Sequence, residues 1–290
     1  MESNKKITLV SFATNDLKRS IKRFETQAIK SNFYKKIYIF TPDNLPDQIN
    51  NKLNRLIKKG KKRGYGYWYW KPLILMELMQ RIENREIIQY LDIGFHINNL
   101  SKQKFIEYYD IIEDNKKWLL PFQYKNMDKL NIEKINFPKR EEFKYTKGDI
   151  FEYFNCINIK EITHSPQFSA GNILIKKHEK SLSFLKDWIK VFEEKFEIVD
   201  DSPSRIKNFP GFIENRHDQS IYSILCKKNF LESLSAYEFD WAMFDNQRTW
   251  SHNFNYPFLA KRDLKYNLFK RFVNRQIKNF KRKKNFFFGS

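Results

Sequence analysis

The chain has 290 residues, of which 17% are aromatic, with only 8 Gly and 9 Pro; this excludes a disordered or fibrous chain and is enough to bury a substantial core. Its formal charge of +20 sits at the two ends: residues 1–63 carry 16 Lys/Arg against 5 Asp/Glu and residues 261–290 carry 11 against 1, while 64–260 carry 27 against 28. A neutral middle between basic ends argues against a nucleic-acid-binding surface spread over the folded body.

In chain order, "ITLVSFAT" (7–14) is a β-rich run, and Leu17, Ile21, Phe24 and Ala28 then recur at helical spacing. "KKIYIFTPDNLP" gives a second strand stopped by Pro42, so the first 45 residues predict a βαβ unit with parallel strands. A basic helix, "QINNKLNRLIKKGKKR", precedes "GYGYWYWKPLILMELMQRI", in which an aromatic, Gly-rich turn leads into a buried helix after Pro72. "REIIQYLDIGFHIN" (85–98) is an apolar strand ending on Asp92. "KKWLLPFQ" (116–123) and "SAGNILIKK" (169–177) predict two more strands, "HEKSLSFLKDWIKVFEEKF" a long amphipathic helix, and "HDQSIYSILCKKN" (217–229) a helix with a polar start. The stretch 124–165 is polar and poorly periodic, with only "DIFEYFNC" helical in pattern; an insertion of this kind in an α/β domain is commonly a lid or acceptor loop.

Cys156 and Cys226 form no CxxC or CxxH spacing, which leaves a reducing cytosol as the default compartment. The N-terminus reads as a first strand and not as a signal peptide, and no apolar run reaches the roughly 18 residues of a bilayer span.

A strand buried on both faces reads as a continuous apolar run, and ligands of open α/β sheets gather beyond the carboxyl ends of such strands. Asp92 lies at that end, where an ionised carboxylate needs a partner, water or a metal. A plain turn or capping Asp before Gly94 is the structural alternative. Lys71, at the start of a helix, is a phosphate or sugar contact or a solvated lysine; Trp68 and Trp70 stack on a ligand or pack in the core. The small residues of "FSAGN" permit close backbone approach, and His217, Asp218 and Gln219 open a helix whose N-terminal amides favour anions.

The ordered set "GYGYWYWKP", "IIQYLDIGFHIN", "FSAGNILIKK" and "RHDQSIYSIL" resembles segments of bacterial GT-A glycosyltransferases that build lipopolysaccharide or capsule, over roughly residues 5–260. The resemblance implies a GT-A-like, Rossmann-like α/β domain over 1–260, with a mixed, mainly parallel sheet flanked by helices. It implies hexosyl transfer from a nucleotide sugar, expected to be a UDP-sugar, to a glycan or lipid-linked glycan acceptor. By resemblance, Asp92, Gly94, Lys71, Trp70, Ser169, Ala170 and Gly171 bind the donor. Asp218 holds donor hydroxyls or, in an inverting enzyme, acts as base, and Gln219 lies near the anomeric carbon. Asp92 matches the first Asp of the family's DxD turn, whereas Gly94 replaces the second. A divalent cation, Mn²⁺ or Mg²⁺, is expected on Asp92, with His252, His96 or Asn98 completing its shell; otherwise cationic side chains neutralise the diphosphate without metal.

Residues 261–290 mix Lys/Arg with Leu268, Phe269, Phe272, Val273, Ile277 and Phe280 at helical spacing. Such a basic amphipathic segment binds anionic membrane surfaces, placing the enzyme on the inner face of the cytoplasmic membrane; a C-terminal helix packed on the domain is the alternative. The rival functions are a nucleic-acid-binding protein and an inactive sugar-binding relative. No nucleic-acid partner is expected.

Overall fold

The computed structural model describes residues 7–127, 135–262 and 276. Six strands form the central sheet: β1 (Ile7–Phe12), β2 (Lys36–Phe40), β3 (Ile87–Leu91), β4 (Leu119–Gln123), β5 (Phe168–Lys176) and β6 (Leu234–Ser235). Their spatial order is β2-β1-β3-β5-β4-β6. β1 runs parallel to β2 and β3, and β4 parallel to β6, while β5 is antiparallel to both its neighbours. The fold is therefore mixed α/β with a mainly parallel sheet, and the predicted βαβ unit is its first element.

β1, β3 and β5 are buried at every position because helices cover both faces of the sheet. Alternate residues serve opposite layers, as the two-residue period of a strand requires. Helices α1 (Lys18–Ser31) and α2 (Asp47–Lys58) precede α3 (Trp70–Arg81), whose Leu75 and Leu78 pack with Val10, Ile88, Ile173 and Trp188. Leu9, Ile87 and Leu174 pack on the other side with Phe24, Phe105 and Ile112. Each such buried side chain contributes roughly 1.5–3 kcal/mol.

Pro121 explains an irregularity in β4. Its nitrogen carries no hydrogen, and the pairing with β5 shifts register between Leu120 and Phe122, where a bulge tolerates it. α3 begins at Trp70, two residues before Pro72, which occupies the first turn where a missing donor costs nothing.

The described part of the insertion 124–165 is tied to α4 (Asp218–Lys228) through Glu142. It contains short helices at Glu142–Tyr145, Gly148–Tyr153 and Lys160–Thr163, the second matching "DIFEYFNC". Its anchor is the fully buried Glu142, which accepts from Lys227 at 2.7 Å, from Thr146 at 2.6 Å, from Gln167 at 2.9 Å and from Ser223. The amphipathic segment expected over 261–290 lies outside the described residues except for Lys261, Arg262 and Gln276. Among the described residues no helix is long and apolar enough to cross a membrane.

β2 and β3 flank β1 on opposite sides, so the chain leaves β1 in one direction and returns on the other. The crevice beyond the carboxyl ends of β1 and β3 is where such sheets accept ligands. Asp92 is the first residue after β3.

Candidate functional site

A cavity of about 550 Å³ opens beyond this sheet edge. Asp92, Gly94, Lys71, Ser169, Ala170, Gly171, Asp218 and Gln219, all expected at a site, line it together. Asp92, Ala170 and Asp218 meet on the Lys71 ammonium. Lys71 Nζ donates to Asp218 Oδ2 at 2.6 Å and to the Ala170 carbonyl at 3.0 Å, and lies 3.7 Å from Asp92 Oδ1. Segments separated by up to 147 residues thus meet on a lysine only 3% exposed.

The local geometry has separate causes in each segment. The "GYGYWYWKP" turn runs through positive φ at Tyr65, Gly66, Tyr67 and Trp68 before α3, which sets Lys71 in the first helical turn. Asp92 is held by its amide donating to the Gly171 carbonyl at 2.9 Å and by the Tyr90 hydroxyl donating to its Oδ1 at 2.5 Å. Gly171 must be small: a Cβ there would stand 3.2 Å from the Phe95 ring and 3.3 Å from Asp92 Oδ2. Gln219 is engaged at both ends of its amide, donating to Gln167 at 2.7 Å and accepting from the Ala170 amide at 3.3 Å. The Ser169 hydroxyl accepts from the Gly171 amide at 3.3 Å.

Burial acts in opposite senses on the ion pair. It disfavours the Lys71 ammonium, but Asp218 and then Asp92 outweigh it and hold the lysine pKa above its ordinary value. Burial pushes Asp218 up to about 6 against the pull of Lys71, and Asp92 pushes the same way. At neutral pH the pair is ionised, and Asp218 is a stronger base than an ordinary carboxylate.

His217 precedes α4 with φ 54°, in the left-handed region that costs a non-glycine residue energy. Its ring stacks on Trp68 with centroids 5.4 Å apart. Its Nδ1 lies 2.7 Å from the Val199 carbonyl, which can only accept, so Nδ1 carries the proton. The buried Nε2 is left as an acceptor with no hydrogen-bond partner. Burial lowers the His217 pKa to about 4, which keeps the ring neutral.

The opposite wall was not legible in the sequence. Arg140 donates to Asp240 at 2.8 Å, with its guanidinium 4.0 Å from the Tyr124 ring centre and 5.1 Å from that of Trp241. The Arg248 guanidinium lies 4.2 Å from the Trp241 ring centre, and that of Arg216 4.4 Å from the Tyr145 ring centre. Burial, and then the charge of Arg140, lower the Arg216 pKa. These residues come from four separate segments and share no spacing; the one local signal is the acid-aromatic pair Asp240-Trp241.

Two expected site residues lie elsewhere. Trp70 is packed in the core, stacked on Phe12 at 4.2 Å and donating to the Gly64 carbonyl at 2.9 Å; its neighbour Trp68 lines the cavity instead. His252 is 3% exposed, lies 3.0 Å from the Tyr237 carbonyl through Nε2 and does not line the cavity, so it is not a partner of Asp92 for a metal. Asn98 directs its amide to Ser101 and to the Phe254 and Tyr256 carbonyls, and His96 is not on the cavity wall.

A divalent cation does not fit the donor set. Among the described residues no three His, Cys, Asp or Glu side chains cluster to hold one. Asp92 is the single carboxylate of the Asp92-Ile93-Gly94 turn, an ammonium stands 3.7 Å from it, and the neighbouring Asp218 is already paired with that ammonium. Mn²⁺ and Mg²⁺ require several oxygen ligands, and a lysine in that position repels them.

No family model and no curated protein matches the chain in sequence. Among solved structures it is similar to mouse xyloside xylosyltransferase 1, at 9% identity and TM-score 0.42, over 81% of this chain and 86% of that one. It is similar to a glycosyltransferase involved in glycosylation of the major capsid of PBCV-1, at 11% identity and TM-score 0.44, over 93% and 98%. It is similar to the galactosyltransferase LgtC, at 12% identity and TM-score 0.41, over 80% and 74%.

Proposed function

We propose that the chain is a glycosyltransferase that moves a sugar from a nucleotide-sugar donor to a glycan acceptor. The observation that carries this reading is the meeting of Asp92, Asp218 and the Ala170 carbonyl on Lys71 in a cavity at the carboxyl end of β3 and the amino end of β5. Carboxylates and a carbonyl are acceptors suited to sugar hydroxyls, and the surrounding arginines suit a diphosphate.

In the reaction, the bond between the anomeric carbon and the diphosphate oxygen breaks and the diphosphate leaves with the electron pair. The acceptor hydroxyl oxygen bonds to the anomeric carbon and gives up its proton. Asp218, whose pKa burial raises to about 6, is the base for that proton, held in place by Lys71. Asp92 and Gln219 orient the donor sugar, and the small residues Ala170 and Gly171 let it approach the backbone.

The finer reading is a UDP-hexose donor and a growing bacterial surface glycan, lipopolysaccharide or capsule, reached from the inner face of the cytoplasmic membrane through the basic segment 261–290. The order of the four motifs and the clustering of charge at the chain ends support it. The test is a hydrolysis and thermal-shift screen across nucleotide sugars, with Asp92→Asn as control. One donor should stabilise the protein and be turned over, and Asp92→Asn should lower turnover by roughly 100-fold with the melting temperature retained. No response to any nucleotide sugar, or an unaffected Asp92→Asn variant, refutes the reading.

A further inference from the structure

The turn after β3 has the form Asp92-Ile93-Gly94, and the space a side chain at Gly94 would fill is taken by Arg262. A Cβ on Gly94 would stand 3.0 Å from Arg262 Cγ and 3.7 Å from both its Cα and Cβ, so the arginine packs against the bare backbone of the turn. Arg262 also lines the cavity, together with Asp92 and Lys71. Its charge is felt at the Tyr90 hydroxyl, which is bonded to Asp92. A turn with one carboxylate, a neighbouring ammonium and an arginine seated where a second acidic side chain would stand cannot assemble a cation shell, but it presents positive charge to an anion.

We propose that Arg262, seated against Gly94, binds the diphosphate of the nucleotide ligand directly and makes that binding independent of a divalent metal. The inference rests on the glycosyltransferase reading for the identity of the ligand and deepens it. Glycine at 94 suits the same geometry, because a Cβ there would crowd the Arg262 side chain at 3.0 Å. A guanidinium offers paired N–H donors that match two phosphate oxygens, and it lies where charge builds on the departing group.

Calorimetric titration of the full chain with UDP and with uridine, each in EDTA and in MnCl₂, tests it. UDP is expected to bind in EDTA with an affinity within about twofold of that in MnCl₂. Arg262→Ala should weaken UDP roughly tenfold and leave uridine unchanged, since one charged contact to phosphate is lost and the nucleoside contacts are not. Gly94→Asp, which crowds Arg262 and adds a negative charge, should weaken UDP in EDTA at least as much. Arg262 is exposed, so its removal leaves the core intact. UDP binding that vanishes in EDTA and returns with Mn²⁺, or an Arg262→Ala variant that binds UDP like the wild type, overturns the inference while leaving the site reading standing. Failure of the wild type to bind UDP under either condition overturns both.

Discussion

Lys71 Nζ lies 2.6 Å from Asp218 Oδ2, and the two side chains are 4% and 7% exposed, so the floor of the cavity is an ion pair shielded from water. Such a pair is costly to break because removing one partner leaves the other charge buried and uncompensated.

Lys71→Met should therefore destabilise the protein by about 3–5 kcal/mol and abolish turnover. It removes the ammonium while nearly preserving side-chain volume, leaving Asp218 and Asp92 to repel each other. Urea denaturation and nucleotide-sugar turnover measure the two effects. Stability within 1 kcal/mol of wild type would mean that the pair does not hold the site together.

Activity should fall in acid as Asp218 takes up its proton. Burial raises the Asp218 pKa to about 6, so kcat/KM should drop through an acidic limb near that value, a limb that Asp218→Asn removes along with most activity. Stability has the opposite sign. Because the folded pKa lies above the ordinary value of 3.8, this group's contribution is fully present below that value and is lost as pH rises through about 6. A flat pH–rate profile between pH 5 and 8 would contradict the assignment.

The support behind Gln219 should be equally sensitive. Glu142 is fully buried and accepts from Lys227 and Gln167, and Gln167 in turn accepts from the Gln219 amide. Glu142→Ala should cost about 3–5 kcal/mol by stranding the Lys227 ammonium. Replacing Glu142 and Lys227 together with apolar residues should recover part of that loss, and denaturation of the single and double variants measures the coupling. Equal destabilisation in both would show that the ion pair is not the source.

Truncation after Asp263 removes the basic aromatic segment while retaining Arg262. The shortened protein should no longer sediment with anionic vesicles and should keep its activity on a soluble acceptor. Continued sedimentation at physiological salt would rule out the membrane role.

The elements were legible where burial has a period. The runs 7–12, 36–40 and 87–91 and the helices around Phe24 and Leu75 follow from apolar spacing, and Asp92 stood out because a carboxylate ends an apolar strand. The direction of β5 was not legible, since a strand buried on both faces carries no mark of orientation. Which of Trp68 and Trp70 faces the cavity was not legible, because successive positive φ values turn the chain before α3, which no propensity foretells. His252 shows the limit of reading a lone histidine: its partner is a backbone carbonyl, invisible in side-chain patterns. The arginine wall was missed because Arg140, Arg216, Arg248 and Arg262 are brought together only by tertiary packing.

The most direct test is a crystal structure with UDP bound. The account predicts the diphosphate in the cavity between Lys71, Asp92 and Arg262, with guanidinium nitrogens of Arg262 at hydrogen-bond distance from its oxygens. UDP bound at any other surface, with the Lys71–Asp218 pair closed over an unoccupied cavity, would contradict it.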